Sequence, residues 1–140
     1  MKRILILVLA LAGCTSLATG QTYSEEAMLT AAAALTKVSA ATEAFLRYGS
    51  PPDGLPDDAF LTQSVAHDPG LLAPFSIYRV KATRVNGHTA VLVCTPDGTE
   101  ALLEDAGCTA TMDKQRWRDD SKSPCAFALD LNQVCSAVAN

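Results

Sequence analysis

YRVKATRVNGHTAVLVCTPDGTEALLE, residues 78–104, is the stretch that decides the fold of this 140-residue chain. Asn86-Gly87 stands between two runs rich in β-branched residues, which is the strongest short-range signal of a β-hairpin. A two-residue turn at this point sets Val80 opposite Val93 across the hairpin. The stretch therefore begins with two antiparallel strands, and the turn defines their register.

A third strand is predicted after the sequence TPDG at residues 95–98, because proline and glycine occupy positions that a type I turn favours. That turn sets Val93 opposite Ala101. Side chains alternate between the two faces of a sheet, so two sets of residues result. The first face collects Tyr78, Val80, Ala82, Val91, Val93, Ala101 and Leu103. The second face collects Arg79, Lys81, Leu92, Cys94, Glu100, Leu102 and Glu104. We expect the apolar first face to pack on a helix.

A long helix of roughly 24 residues is predicted before the sheet. At its start, Thr22 and Glu25 fit a capping box, and Ser24 is an alternative N-cap. Gly49 and the prolines that follow it end the helix. Its apolar stripe consists of Met28, Ala31, Leu35, Val38, Thr42 and Phe45. The other surface is rich in alanine and threonine, which either fill a solvated face or let another helix approach closely; we favour the first interpretation.

The chain on either side of these elements completes the predicted architecture. Residues 50–75 hold a short helix that begins at Asp57-Asp58, followed by a second turn. Residues 106–140 remain to cover the second sheet face, where residues 125–131 form a candidate fourth strand and Asn132 is a suitable N-cap for a terminal helix. The expected fold class is α+β, with a long N-terminal helix packed on a three- or four-stranded antiparallel sheet.

Four cysteines after the N-terminal segment, Cys94, Cys108, Cys125 and Cys135, predict two disulfides that staple the domain. A zinc site is the weaker interpretation, because no two of them have C-x-x-C spacing. The predicted third strand carries the chain away from Cys94, which argues against its pairing with Cys108. We therefore favour Cys94 with Cys135 and Cys108 with Cys125, and Cys94 with Cys125 is the second choice.

The N-terminal segment has the features of an export signal. Two basic residues precede an apolar run, residues 4–11, that is too short to span a bilayer. The run leads into Leu11-Ala12-Gly13-Cys14, which resembles the lipobox of bacterial lipoproteins. The resemblance implies that residues 1–13 are a signal peptide and that Cys14 becomes the lipidated first residue of the mature protein.

The same resemblance implies an anchored domain. Residues 14–22 then form a lipidated tether, and residues 23–140 form a single globular domain. Thr15, in the position after the lipidated cysteine, favours the outer membrane, with the domain on its periplasmic side. Cleavage after Gly20 by an ordinary signal peptidase is the alternative, and it would release a soluble periplasmic or secreted protein.

Charge and motif content narrow the classes of function. The formal net charge of the chain is −4, which argues against nucleic acid as a partner. The sequence contains no G-x-S-x-G elbow and no phosphate-binding glycine loop. Acidic doublets such as Asp57-Asp58 and Glu104-Asp105 are expected to act as caps or turns, because neighbours in sequence point apart. His67 is interpreted as a surface residue at a helix end, and His88 lies at a hairpin tip, so we expect no metal and no cofactor.

Recognition of a partner through the protein surface is the remaining class of function, and one group of residues is a candidate contact. Arg116, Trp117 and Arg118 combine the single tryptophan with two arginines, which are residue types that dominate protein interfaces. We favour the alternative interpretation, in which Trp117 packs on the second sheet face and the two arginines only increase solubility. The first hypothesis is a non-catalytic envelope lipoprotein that acts as a binding, assembly or inhibitory module on a protein partner. The second is a small periplasmic hydrolase with a site around His67. A deep polar cleft that joins His67 or His88 to a carboxylate would contradict the first hypothesis, and a shallow surface with an exposed Trp117 would contradict the second.

Overall fold

A computed structural model of the protein describes residues 25–109 and 123–136. In chain order, its elements are α1 (Glu25–Tyr48), α2 (Asp57–Ser64), a 3-10 helix (Pro69–Phe75), β1 (Arg79–Val85), β2 (His88–Cys94), β3 (Ala101–Ala106) and α3 (Leu131–Ser136). The strands form an antiparallel sheet in the order β1-β2-β3, and α1 packs on it, so the fold is α+β as predicted. None of the helices in these ranges has the length and apolar character needed to cross a membrane.

Helix α1 is buried along the predicted stripe and ends at the predicted signal. Leu35 and Val38 have no exposed surface. Gly49 donates its amide to the carbonyl of Phe45 at 2.8 Å, which closes the last turn, while the predicted N-cap residues lie outside the described ranges. The core cluster under α1 comprises Leu35, Val38, Phe60, Leu61, Val65, Phe75, Ala82, Val91, Val93 and Leu103. Helix α2 and the 3-10 helix therefore complete the core that α1 and the sheet begin.

The first hairpin has the predicted register, with Val80 opposite Val93. Asn86 and Gly87 have φ angles of 51° and 79°, which are the left-handed values that both central residues of a type I′ turn require. This turn matches the right-handed twist of the flanking strands. Local chemistry at two residues was therefore sufficient to define the pairing of β1 with β2.

The second hairpin differs from the prediction by two residues. The amide of Thr95 donates to the carbonyl of Glu100 at 2.9 Å, so the loop is one residue longer than predicted. A β-bulge beyond the loop adds the second residue, which leaves Val93 opposite Leu103 instead of Ala101. The predicted register of β3 is therefore wrong.

The bulge exchanges the faces of two side chains. Ala101, predicted on the first face, packs beside Leu92 and Cys94 on the second face. Leu102, predicted on the second face, packs against the core under α1. A bulge sets two residues of one strand against one residue of its partner, so the alternation before it does not continue across it.

Residues 123–136 cover the second sheet face, as predicted, but not as a fourth strand. Within the described ranges this segment makes one isolated β-bridge, at Pro124. It is attached instead through the buried carboxylate of Glu104, which accepts hydrogen bonds from the amides of Ala128 and Leu129, both at 3.0 Å. These amides bond to a side chain and not to a neighbouring strand, which explains why a strand does not form.

The terminal helix has a different N-cap from the one predicted. The side chain of Asp130 accepts a hydrogen bond from the amide of Asn132 at 3.0 Å, so α3 starts at Leu131 and Asn132 lies inside it. Aspartate and asparagine are equally good N-caps, so the local sequence does not choose between them. The side chain of Asn132 instead accepts a hydrogen bond from Asn86 at 2.6 Å, which ties α3 to the first hairpin.

The disulfides join Cys94 with Cys125 and Cys108 with Cys135, with Cα–Cα distances of 5.7 and 5.6 Å. The favoured pairing is therefore wrong, the second choice for Cys94 is confirmed, and Cys94 does not pair with Cys108. The amide of Cys125 donates to the carbonyl of Thr99 at 3.0 Å. This contact holds Cys125 at the start of β3, over Cys94, and leaves Cys135 to meet Cys108.

Candidate functional site

A group of buried polar side chains lies between α1 and the sheet, and we call it the polar cluster. Its members, each at most 6% exposed, are Ser39, Thr42, Glu43, Thr89 and Asp105. The sequence placed Thr42 on the buried stripe of α1, but the burial of the other four residues was not predicted. A signal was present, because Ser39 and Glu43 lie four and eight residues after Leu35 and so share its face of the helix. Asp105 lies on the same sheet face as Leu103, but it was missed because the Glu104-Asp105 doublet was expected to form a cap or a turn.

Glu43 is the centre of the polar cluster. Its Oε2 accepts hydrogen bonds from the amide and the hydroxyl of Thr89 at 2.8 and 3.0 Å, and its Oε1 accepts one from Arg47 Nη2 at 2.7 Å. His88 Nδ1 lies 3.0 Å from the same Oε1. Burial raises the pKa of Glu43, but the bonds from His88, Arg47 and Thr89 outweigh burial and hold that pKa below its usual range. Glu43 is therefore an ionised carboxylate that ties α1 to the start of β2.

Asp105 is the second buried carboxyl of the polar cluster, and its pKa is shifted in the opposite direction. Ser39 donates a hydrogen bond to its Oδ2, whereas its Oδ1 has no hydrogen-bond partner among the described residues. Burial raises the pKa of Asp105 to about 6, although the bonds from Ser39 and from the amide of Ala106 lower it. Asp105 therefore changes its charge close to neutral pH.

Gly107 brings the end of β3 against α1. A Cβ atom at this position would lie 2.7 Å from the carbonyl oxygen of Ser39 and 2.5 Å from the hydroxyl of Thr89, so a larger residue would push the helix off the sheet. The amide of Gly107 donates to the carbonyl of Thr89 at 2.8 Å. This close approach leads the chain to Cys108, beside the start of β2.

A polar pocket of about 410 Å³ lies at the turn end of the first hairpin, and we call it the hairpin pocket. It is lined by Arg47, Asn86, His88, Cys108, Asn132, Cys135 and Ser136. His88 joins this pocket to the polar cluster, since its ring is 28% exposed and contacts the Glu43 carboxylate. One ring nitrogen of His88 and the sulfurs of Cys108 and Cys135 lie within 4.8 Å of one another. Sequence reasoning missed this arrangement because its members are far apart along the chain.

A second pocket of about 550 Å³ lies between α1 and the 3-10 helix, and we call it the alanine groove. It is lined by Glu26, Leu29, Thr30, Ala33, Ala34, Lys37, Gly70, Leu71 and Pro74. Half of the residues that α1 contributes, namely Thr30, Ala33 and Ala34, belong to the alanine- and threonine-rich surface noted in the sequence. Leu29 lies at this groove with 47% of its surface exposed. The smooth face of α1 is therefore one wall of an open apolar depression.

The other predicted residues are either structural or outside the described ranges. His67 is exposed in the turn after α2. Asp57 forms an ion pair with Arg84 at 3.1 Å. Glu104 contacts the segment over the second sheet face and Asp105 contacts α1, so the two side chains point apart, as expected. Both are buried within β3, however, so the expectation that this doublet forms a cap or a turn is wrong. The candidate residues that lie outside the described ranges are Cys14, Arg116, Trp117 and Arg118.

Comparison with known proteins leaves the chain without a family assignment. Its function is argued from the polar cluster, the hairpin pocket and the alanine groove. These features are interpreted from their own geometry, since neither family models, nor curated proteins, nor solved structures match this chain.

Proposed function

We propose that the protein is a non-catalytic binding or assembly module of the bacterial cell envelope, which receives a helix of a protein partner in the alanine groove. The observation that carries this proposal is the groove itself, an open depression of about 550 Å³ with mostly apolar walls. Concave apolar surfaces with a few polar groups are the usual form of binding sites. An inhibitory role would use the same surface.

The geometry of the alanine groove suits a helix better than an extended peptide. Leu29, Ala33 and Lys37 follow one another at intervals of four residues, so they form a ridge about 12 Å long on α1. Leu71 and Pro74 of the 3-10 helix stand on the other side. Every lining residue belongs to a helix, so the groove offers no strand edge to an extended peptide. Small side chains let a second helix pack at the usual interaxial distance of about 8–10 Å.

Charges at the two ends of the alanine groove orient the partner helix. Glu26 lies towards the start of α1, Lys37 lies about three turns further along, and both are exposed. A helix carries partial positive charge at its N-terminus and partial negative charge at its C-terminus. The partner helix therefore lies parallel to α1, with its N-terminus near Glu26 and its C-terminus near Lys37.

A lipid anchor at Cys14 would keep the alanine groove close to a membrane. The groove occupies the first half of α1, which begins at Glu25. A chain spans at most about 3.6 Å per residue, so the start of α1 lies within about 40 Å of the lipidated residue. A partner embedded in the same membrane, or bound to it, is within that distance.

Photo-crosslinking in cells that produce the full chain tests this function. A photoreactive phenylalanine analogue at Leu29 should give one discrete adduct with a partner protein. Ala33→Arg should abolish the adduct because the long cationic side chain fills the groove. Ala40→Arg, at an exposed position of α1 outside the groove, should leave it intact. Absence of any adduct, or equal yields from A33R and A40R, would show that the groove is not the binding site.

The hydrolase hypothesis around His67 receives no support from the geometry, because His67 is exposed and lines neither pocket. His88 does contact a carboxylate in a polar pocket, which is the arrangement expected of an enzyme. That carboxylate, Glu43, is also bonded to Thr89 and Arg47 and holds α1 on the sheet. The contact is therefore accounted for by packing.

A further inference from the structure

The hairpin pocket contains a set of possible metal ligands that the binding proposal does not use. His88, Cys108 and Cys135 place an imidazole nitrogen and two sulfurs within 4.8 Å of one another, and no other such group of three occurs in the part of the chain that the structure describes. We propose that reduction of the Cys108–Cys135 disulfide converts this group into a binding site for a thiophilic divalent cation such as Zn²⁺. The site does not depend on the alanine groove.

The two disulfides of the protein differ in their surroundings. Cys94 and Cys125 pack in an apolar cluster on the second sheet face, whose other members offer no metal ligand. Cys108 and Cys135 line a polar pocket together with His88. A cation that enters this pocket therefore meets two sulfurs and an imidazole, whereas the Cys94–Cys125 disulfide offers sulfur alone.

Two thiolates and one imidazole form a ligand set that zinc proteins use. Zn–S bonds of about 2.3 Å and Zn–N bonds of about 2.0–2.1 Å place tetrahedral ligand atoms roughly 3.4–3.8 Å apart. After reduction, the two sulfurs must move apart and the imidazole nitrogen must approach by about 1 Å, which side-chain rotation supplies. Three protein ligands leave the fourth position open towards the pocket, where water or a small ligand completes the tetrahedron.

Glu43 is placed to orient His88 as a ligand. Its Oε1 lies 3.0 Å from His88 Nδ1, so Nε2 is the nitrogen left for a bound ion. A carboxylate on the non-ligating ring nitrogen is the usual outer-sphere partner of a metal-bound histidine. Because Thr89 and Arg47 hold Glu43 in place, the imidazole is positioned before an ion arrives.

The redox step is a two-electron exchange with a dithiol. The dithiol gives two electrons and two protons to the Cys108–Cys135 disulfide, which becomes two thiols while the dithiol becomes a disulfide. Zn²⁺ then displaces the two thiol protons to solvent and binds both thiolates. A disulfide oxidant reverses the sequence: it takes up two electrons and two protons, the bond between Cys108 and Cys135 forms again, and the ion leaves.

Protection from alkylation tests the site in the full chain. The protein is reduced with a phosphine, incubated with or without zinc, alkylated, and analysed by peptide mass spectrometry, which reports each cysteine separately. Zinc should slow alkylation of Cys108 and Cys135 at least ten-fold and leave Cys94 and Cys125 unchanged. Equal protection of the four disulfide-forming cysteines, or protection of none, would overturn the proposal.

His88→Gln removes the imidazole ligand and keeps a polar side chain in the pocket. Thiolate-bound Co²⁺ absorbs in the near ultraviolet, so a Co²⁺ titration measures the affinity of the reduced protein. We expect H88Q to bind Co²⁺ at least ten-fold more weakly than the parent, because one of three ligands is lost. The matched control is His67→Gln, which removes the other histidine and should leave the affinity unchanged. Equal affinities for H88Q and the parent would overturn the proposed site.

Discussion

Two buried carboxyls in one interface have pKa values shifted in opposite directions, and the difference comes from their partners. Burial by itself raises the pKa of both Glu43 and Asp105. Glu43 gains bonds from two basic side chains and from a backbone amide, which together outweigh burial. Asp105 has one side-chain donor, Ser39, and one oxygen without a partner in the described ranges. Hydrogen bonds to the charged form therefore decide which carboxyl stays ionised.

Asp105→Asn should make the stability of the protein less dependent on pH. The folded-state pKa of Asp105, about 6, lies above the unfolded value of about 3.9, so the folded state binds the proton more tightly. This contribution is fully present below about pH 4 and is lost as the pH rises through about 6, by on the order of 2–3 kcal/mol. Asparagine cannot ionise, so the variant should gain stability relative to the parent between pH 5 and 7, as measured by chemical denaturation.

The asparagine amide can donate to the Ser39 hydroxyl, which lies 3.1 Å from the carbonyl of Thr36, so D105N keeps a hydrogen-bonded site. Asp53→Asn is the control, since Asp53 is exposed, and its unfolding free energy should follow that of the parent at each pH. If D105N and the parent lost stability in parallel between pH 5 and 7, this result would show that Asp105 is not the group with the raised pKa.

At the scale of the elements, the chemistry of each turn decides how far its register can be derived. Asn86-Gly87 permits one short turn, and its register followed from two residues. The second loop contains Asp97, whose Oδ1 accepts hydrogen bonds from the amide and the hydroxyl of Thr99 at 3.1 and 2.8 Å. These bonds stabilise a longer loop. Because several loop lengths accommodate the same proline and glycine, turn residues alone did not define the pairing of β3.

Val91→Asp should unfold the domain, whereas Lys81→Asp should have little effect. Val91 is fully buried under α1 and lies opposite Asp105, so a new carboxylate there would be both unpartnered and close to a second acid. Such a group costs several kcal/mol, comparable to a total stability of about 5–15 kcal/mol. Lys81 is exposed, and exposed substitutions usually change stability by about 0.5 kcal/mol or less. Thermal melts measure the difference, and similar melting temperatures would contradict the assigned sheet faces.

At the scale of the whole molecule, two disulfides whose cysteines alternate along the sequence connect the sheet with the chain that covers its second face. Cys108 lies inside the loop closed by Cys94 and Cys125, and Cys135 lies beyond it. The sequence separations are 31 and 27 residues, and loops of that length restrict the unfolded chain by about 3–4 kcal/mol each. These covalent links therefore stabilise the domain by restricting its unfolded chain.

Cys14→Ala should prevent lipid attachment and leave an uncleaved precursor or a soluble form. The Cys14 thiol is the lipid acceptor in the proposed anchor, and each buried acyl methylene contributes about 0.8 kcal/mol to membrane binding. Incorporation of labelled fatty acid, together with membrane fractionation, measures the effect. Thr15→Ala is the neighbouring control and should be labelled like the parent. Equal labelling of C14A and the parent would contradict the resemblance to a lipobox.

The sequence by itself determined the fold class, the long helix, the first hairpin and the presence of two disulfides. The helix and the hairpin depend on signals that lie within a few residues of one another, namely the spacing of apolar residues, the glycine and prolines after Tyr48, and the Asn86-Gly87 turn. Such local signals do not depend on a tertiary contact. For that reason they can be interpreted from the order of the residues. The disulfides follow from the even number of cysteines after the N-terminal segment.

Only the tertiary structure decided the register of β3, the cysteine pairing, the polar cluster and both pockets. Glu43 and His88 are 45 residues apart, and Cys108 and Cys135 are 27 residues apart. Packing of α1 on the sheet brings Glu43 to His88. The close approach of Gly107 to α1 and the hydrogen bonds of Glu104 to the final segment accompany the contact between Cys108 and Cys135. The contacts of Gly107 and Glu104 join residues from different elements, so short stretches of the sequence do not predict them.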